Sequence, residues 1–247
     1  MLLKSQVKYI QTLGHKKFRD ADGVFVAEGP KIVGELLGSE NVHLVQCFAT
    51  ADWLNTNAHL ITIGESLITE VKEDELERIS FHSSPNQILA VFSKPVFNNN
   101  SETDGITLLL DMIQDPGNLG TILRTADWFS VRRVICSLDT VDVFNPKVVQ
   151  SAMGSLVRVE LKYEDLNEYL LRRSNTPVYA ASLDGVDLQS KIQEKEAIML
   201  LGNESKGIRK ELEVLATRKV RIPRKGGAES LNVAVACGIL LSMIEIN

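Results

Sequence analysis

The chain has 247 residues, 44% of them apolar and 24% charged, with a net charge of −5. That composition fits a globular protein with room for two ordinary domains or one large α/β domain. No run approaches the roughly 20 apolar residues of a membrane span, and the opening M-L-L-K-S-Q lacks the apolar stretch and cleavage site of a secretory signal.

From the N-terminus, apolar spacing predicts a short helix over 7–17, with Tyr9, Ile10 and Leu13 on one side and a basic turn, 16–20, leading out of it. A strand at 24–27, a helix at 31–37 entered through Pro30, and a strand at 42–48 follow. Next come a short helix at 51–55, a strand at 59–63, helical pieces at 65–71 and 74–79, and a strand at 87–92. This alternation gives a small α/β unit over 1–98. Residues 99–105, which include Asn99 and Asn100 of the asparagine run 98–100, are nearly free of apolar side chains and read as a linker.

The second unit, 106–247, opens with the buried-strand pattern I-T-L-L-L at 106–110, then a turn and a helix at 119–128. Strands are expected at 134–137, 157–161, 178–181, 197–201 and 220–222, with helices at 146–153, 166–173 and 210–216. After Pro223 and the Gly226-Gly227 loop, 228–232 opens a final helix whose 233–243 stretch is apolar on most faces. Ser230 and Asn232 then lie on its first turn. The pattern is that of a parallel α/β sheet, in which ligands bind at the carboxyl ends of strands. Three polar or glycine-rich loops lie at such ends: 114–120, 202–207 and 223–232.

The remaining composition narrows the chemistry. Cys47, Cys136 and Cys237 are odd in number and far apart, which suggests neither a disulfide framework nor a zinc site and makes the cytoplasm the expected location. All 4 histidines precede residue 100, so the second unit by itself holds neither a Ser-His-Asp triad nor a histidine metal site. No Gly-x-Gly-x-x-Gly, Walker loop or Gly-x-Ser-x-Gly elbow is present, which argues against a dinucleotide dehydrogenase, a P-loop enzyme and an α/β-hydrolase. The mildly negative net charge weakly opposes nucleic-acid binding, but basic residues crowd two places, Lys4 to Arg19 (Lys16, Lys17 and Arg19 among them) and Lys206 to Lys225, and each can meet a polyanion locally or be a solvated face. Arg124, in the first turns of the 119–128 helix, can meet a phosphate there or pair with Asp127. Asn203 can bond its own turn.

Taken together, the three loops resemble the SpoU (TrmH-type) family of RNA ribose 2′-O-methyltransferases in the SPOUT superfamily. Asn118 followed six positions later by Arg124 matches its first motif, Gly202-Asn203-Glu204 its second, and 222–233, I-P-R-K-G-G-A-E-S-L-N-V, its third. The first unit is similar to the L30e-like substrate-binding domain that these enzymes carry. The resemblance implies a trefoil-knotted C-terminal domain and a homodimer with the active site at its interface. It also implies S-adenosylmethionine, held near Ala181, Ser182, Leu183, Gly202, Asn203, Ile222 and Leu231, and no metal.

The same resemblance makes Arg124 the central catalytic residue, with Asn118, Glu204, Ser230 and Asn232 orienting it and the ribose. The RNA would meet Lys16, Lys17, Arg19, Lys206 and Arg224. Ser205, Lys206 and Arg224 depart from the usual motif residues, so Lys206 and Arg224 are expected to add phosphate contacts and their loss to flatten the salt dependence of RNA binding. Ribosomal RNA is the expected substrate. Transfer RNA, and a non-catalytic RNA-binding protein of the same fold, are the alternatives.

Overall fold

A computed structural model describes residues 2–57, 65–97, 105–188 and 190–246. The strand expected at 59–63 and most of the expected linker lie outside these residues. The chain begins with α1 (Lys4–Thr12) and α2 (Lys16–Asp22). The expected basic turn is therefore a helix, closed by Gly23 in the left-handed region at φ +65°. There follow β1 (Val24–Glu28), α3 (Pro30–Leu37), β2 (Leu44–Ala49), α4 (Ala51–Asn57), β3 (Ile68–Glu70), α5 (Glu73–Glu77) and β4 (Ile88–Ser93). The helix expected at 65–71 is a single 3-10 turn, Glu65–Leu67, followed by β3. Pairing overrides the local pattern there, because Cys47, Phe48 and Ala49 of β2 supply a ladder to 68–70.

The later elements are β5 (Gly105–Leu110), α6 (Pro116–Trp128), β6 (Arg133–Cys136), α7 (Pro146–Ala152), β7 (Glu160–Tyr163) and α8 (Leu166–Arg172). Then come β8 (Val178–Asp187), β9 (Ile192–Glu194), β10 (Glu196–Leu201), α9 (Lys210–Glu213), β11 (Arg218–Arg221), α10 (Val233–Ser242) and β12 (Ile244–Ile246). A 3-10 segment, Met153–Val157, occupies the start of the expected 157–161 strand, and α9 is shorter than its expected 210–216 span. The short parallel pair β9 and β12 has no counterpart in the sequence reading.

The chain divides into two compact units. The first comprises Met1–Asn98 together with Asp142–Val157. Its sheet runs β1-β4-β2-β3, with β4 antiparallel to β1 and β2, and β3 parallel to β2. All five residues of β1 are buried. The 142–157 stretch belongs here through specific contacts: Phe144 packs on Phe25 (ring centroids 5.3 Å apart), Asn41 Nδ2 donates to the Val157 carbonyl (2.7 Å), and Arg19 pairs with Asp142 (2.5 Å).

The second unit holds a six-stranded parallel sheet, β11-β8-β10-β5-β6-β7. Its central strands are continuous apolar runs, as burial on both faces demands. Leu108, Leu109, Leu110, Met199 and Leu200 are fully buried. The chain moves outward from β5 through β6 to β7, then returns beyond β10 to β8, so the winding reverses between β5 and β10. The loops after those two strands are adjacent there, where an open parallel sheet forms its ligand crevice. Among the described residues no helix is long and apolar enough to cross a membrane.

Candidate active site

The loop after β5 runs from Asp111 to Asp115. Asp115 caps α6: its carboxylate accepts from the Asn118 amide N–H (2.8 Å), and Pro116 fills the first helical position. This fixes Asn118 in the first turn. Its side-chain Nδ2 donates to Glu204 Oε1 (2.6 Å), and its Oδ1 accepts from Asn232 Nδ2 (2.8 Å). Asn232 in turn caps α10, accepting from the N–H groups of Ala234 (2.9 Å) and Val235 (3.3 Å). One asparagine thus joins the three polar loops, and the charged Glu204 acceptor orients its amide.

The final helix begins at Val233, not within 228–232. Asn232 is its cap, because its Oδ1 accepts from the first free N–H groups of that terminus while its Nδ2 reaches Asn118, and Ser230 lies two residues upstream in an exposed loop. Nor is α10 buried on most faces: Val235 and Ile239, one turn apart, are 51% and 38% exposed. Arg124 is exposed on α6 and has no hydrogen-bond or ion-pair partner among the described residues. The Asp127 pairing that would have absorbed it is not formed, since Asp127 accepts from Arg158 Nε (2.8 Å).

The expected cofactor residues fall into two groups. Ala181, Ser182 and Leu183 lie in β8, and the Leu183 carbonyl accepts from Arg221 (3.2 Å), which places this stretch against the segment entering Ile222. The Ser182 hydroxyl donates to Asp184; that bond first, then Lys219 at 3.3 Å, holds the Asp184 carboxyl below its usual range. Gly202, Asn203 and Leu231 belong with the Asn118 cluster, through neighbouring Glu204 and Asn232.

Asn203 builds its own loop: its Nδ2 donates to the Met112 carbonyl (2.8 Å), its Oδ1 accepts from the N–H groups of Ser205 (2.9 Å) and Lys206 (3.1 Å), and its backbone pairs both ways with Gly207. Gly202 is required for the same loop, since an added Cβ would lie 2.3 Å from the Gly207 carbonyl carbon.

The basic residues also separate. Arg19 is 2% exposed, donating to the Leu13 carbonyl (2.6 Å) and to Asp142 (2.5 Å), so burial removes it from any RNA surface. Lys16 is exposed but shares Asp20 with Lys94, each at 2.5 Å. Lys17 and Lys206 are exposed, with no side-chain partner among the described residues, and Arg224 makes one long bond to the Ala228 carbonyl (3.3 Å). The sequence reading missed Asp111, fully buried and paired with Arg209 (2.6 Å), a bond that raises the guanidinium pKa. An aspartate directly after the apolar run Leu108 to Leu110 was the available signal, because a buried carboxylate demands a cation.

Fold and site define an α/β protein that gathers polar loops at one end of a parallel sheet and carries a separate, smaller mixed-sheet unit in the same chain. Residues 105–242 match the SpoU rRNA Methylase family and residues 4–90 match the MRM3-like substrate binding domain. The chain belongs to the SpoU rRNA methylase family. It is 33% identical to the 23S rRNA (guanosine(2553)-2′-O)-methyltransferase RlmP of Bacillus subtilis, over 96% of this chain and 94% of that protein. It is similar in structure to a putative RNA methyltransferase of the TrmH family from Porphyromonas gingivalis, with a TM-score of 0.85, 39% identity and 98% of both chains covered. The AdoMet-bound rRNA methyltransferase of Sinorhizobium meliloti gives a TM-score of 0.82 and 31% identity, over 98% of this chain and 94% of that one.

Proposed function

We propose that the protein methylates a ribose 2′-hydroxyl in ribosomal RNA with S-adenosylmethionine as donor. The observation that carries this reading is the Glu204–Asn118–Asn232 chain, which draws the three motif loops to one point at the strand ends. The names of the Bacillus subtilis and Sinorhizobium meliloti relatives support the substrate and the cofactor. The residues present suit that cofactor: Leu183 in β8 and Leu231 in the loop before α10 are exposed apolar side chains against which an adenosine can pack, with peptide groups beside them for hydrogen bonds. S-adenosylmethionine, when bound, supplies a sulfonium methyl open to in-line attack.

The chain's own residues then have separable tasks. Arg124 stays charged at every working pH, so it does not act as a base. Its guanidinium, exposed on α6, draws the ribose hydroxyl toward ionisation, or holds an RNA phosphate that takes the proton. Asn118, Glu204 and Asn232 fix the loops around the ribose, so that the oxygen meets the methyl in one orientation. Ser230, in the exposed loop before α10, contributes a hydroxyl to the same rim. Lys16, Lys17, Lys206 and Arg224 contact phosphates. The trefoil knot implied by the resemblance belongs to this reading and involves the 202–209 and 222–232 stretches.

The active form is a homodimer in the cytoplasm, the reducing compartment that three free cysteines suit. Val235 and Ile239 on α10, and Trp128 (82% exposed) on the helix α10 packs against, are apolar surface that a second copy would cover. Sedimentation should therefore give a dimer, and Val235→Asp a monomer with lost activity; a wild-type monomer with full activity refutes the dimer.

The function is tested by transfer of label from S-adenosylmethionine to total RNA from cells lacking the protein, with wild type and Arg124→Ala compared. Ribose label in ribosomal RNA, absent with the variant, supports the proposal. Label in transfer RNA overturns the substrate and keeps the chemistry. No label in any fraction, with no cofactor binding by calorimetry, rejects the enzyme.

A further inference from the structure

Asp111 ends β5 and is fully buried, so its charge persists only if both oxygens are filled. Among the described residues Arg209 alone fills them. Its backbone N–H donates to Oδ2 (2.8 Å), and its Nε and Nη2 meet Oδ1 (2.7 and 2.6 Å). The Asp111 N–H donates back to the Leu201 carbonyl (2.8 Å). The loop 202–209 therefore starts and finishes on one aspartate. Inside it, Asn203 is tied to the carbonyl of Met112, which sits at φ +58°, a left-handed conformation that methionine keeps only where its surroundings impose it.

These contacts close a ring. From Asp111 the chain runs through Met112 and Asp115 to Asn118, from Asn118 a 2.6 Å bond crosses to Glu204, and from Glu204 the loop returns to Arg209 and Asp111. Glu204 is exposed, and among the described residues its carboxylate bonds only Asn118. Where Glu204 stands is therefore set by the loop, and the loop is set by its anchor. Arg209 also differs in kind from Lys206 and Lys210, its basic neighbours, which are exposed with no side-chain partner among the described residues.

We propose that the Arg209–Asp111 pair is a positioning clamp that holds Glu204 on Asn118 and acts on the methyl-transfer step rather than on RNA attraction. The proposal rests on the methyltransferase reading above. Arg209→Lys is the informative variant, because it keeps the charge and the backbone N–H but loses the two-pronged grip. Displacing one member of an aligned site by about 1 Å costs up to ~100-fold in rate. Arg209→Lys is therefore expected to lower kcat by about 10- to 100-fold, to leave KM for RNA and S-adenosylmethionine within about 3-fold, and to leave the salt dependence of RNA binding unchanged.

A double-mutant cycle separates positioning from general destabilisation. If Arg209 acts through Glu204, then Arg209→Lys in a Glu204→Ala background lowers kcat by less than about 3-fold, with both proteins folded by circular dichroism. Multiplicative losses overturn the proposal, as does a change confined to RNA KM with a flatter salt slope. Asp111→Asn gives a second arm: it should lower kcat in wild type and add little to Arg209→Lys, and full additivity counts against the clamp. Active wild type with additive variants defeats this inference alone, whereas wild type inactive on every RNA fraction defeats the methyltransferase reading and the clamp with it.

Discussion

Replacing Gly202 with alanine tests the loop geometry most sharply. The added methyl would lie 2.3 Å from the Gly207 carbonyl carbon, 2.4 Å from the Ile208 nitrogen and 2.5 Å from the Gly207 oxygen. All three are backbone atoms, so no side chain can rotate away. Relief requires opening the Asn203–Gly207 pair, whose two bonds are 3.0 and 2.9 Å long. Two backbone bonds at about 1 kcal/mol each, with about 1–3 kcal/mol for overpacking, give a loss of about 3–5 kcal/mol. At about 3 °C per kcal/mol for a chain of this length, the melting temperature should fall by roughly 10–15 °C. Gly227→Ala is the matched control: no heavy atom lies within 4 Å of its added methyl, so its cost should stay within about 0.5 kcal/mol. Thermal melts followed by circular dichroism, with methyl transfer measured well below each transition, read both effects. Gly202→Ala melting within about 2 °C of wild type, with normal turnover, would refute the packing described for this loop.

Arg124→Ala should abolish methyl transfer while shifting stability by no more than about 0.5 kcal/mol, because the side chain is exposed and unpartnered among the described residues; a large shift in the melt would reveal a structural role instead. Lys17→Ala should weaken RNA binding and lower its salt slope by about one without changing the melt. Arg19→Ala should instead cost about 3 kcal/mol by stranding Asp142, and equal melts for the two variants would contradict the buried pair. Burial pushes the Cys47 and Cys237 thiols up to about 12 and raises Cys136 as well. Ellman's reagent at pH 8 should therefore label no cysteine in the native protein and all 3 after denaturation. The sign for stability follows: raised thiols favour the folded state below their unfolded value near about 8.5, and that contribution is lost as pH climbs from there toward about 12. A melt flat between pH 8 and 11 would count against it.

Much of the fold was legible because the strands announce themselves locally. Leu108 to Leu110 and Ile198 to Leu201 are uninterrupted apolar runs, and a strand buried on both faces needs no other signal. Asn118, Glu204 and Asn232 were legible as loop residues at strand ends, and the strand order supplied their meeting. What escaped depends on distant partners. Arg19 looks like part of a basic patch until Asp142, 123 positions away, takes its charge inside. Ile68 to Glu70 carries too little pattern of its own to declare a strand and takes that form from β2. Asn203 was legible as a residue that bonds its own turn, but its bond to the Met112 carbonyl, 91 positions away, was not.

The stretch Asp142–Val157 has a consequence for how the protein is made. It lies inside the span matched by the methylase family, yet it completes the first unit. During synthesis at about 5–20 residues per second, Arg19 and Phe25 leave the ribosome several seconds before Asp142 and Phe144 arrive. Until then a guanidinium destined for the interior has no carboxylate, and a core phenylalanine has one face bare. The first unit can close only after most of the second unit's opening strands have been translated, so the two cannot mature strictly one after the other. A graft cut at residue 98 would carry the same defect permanently, and a chimera must bring residues 142–157 with the unit they complete.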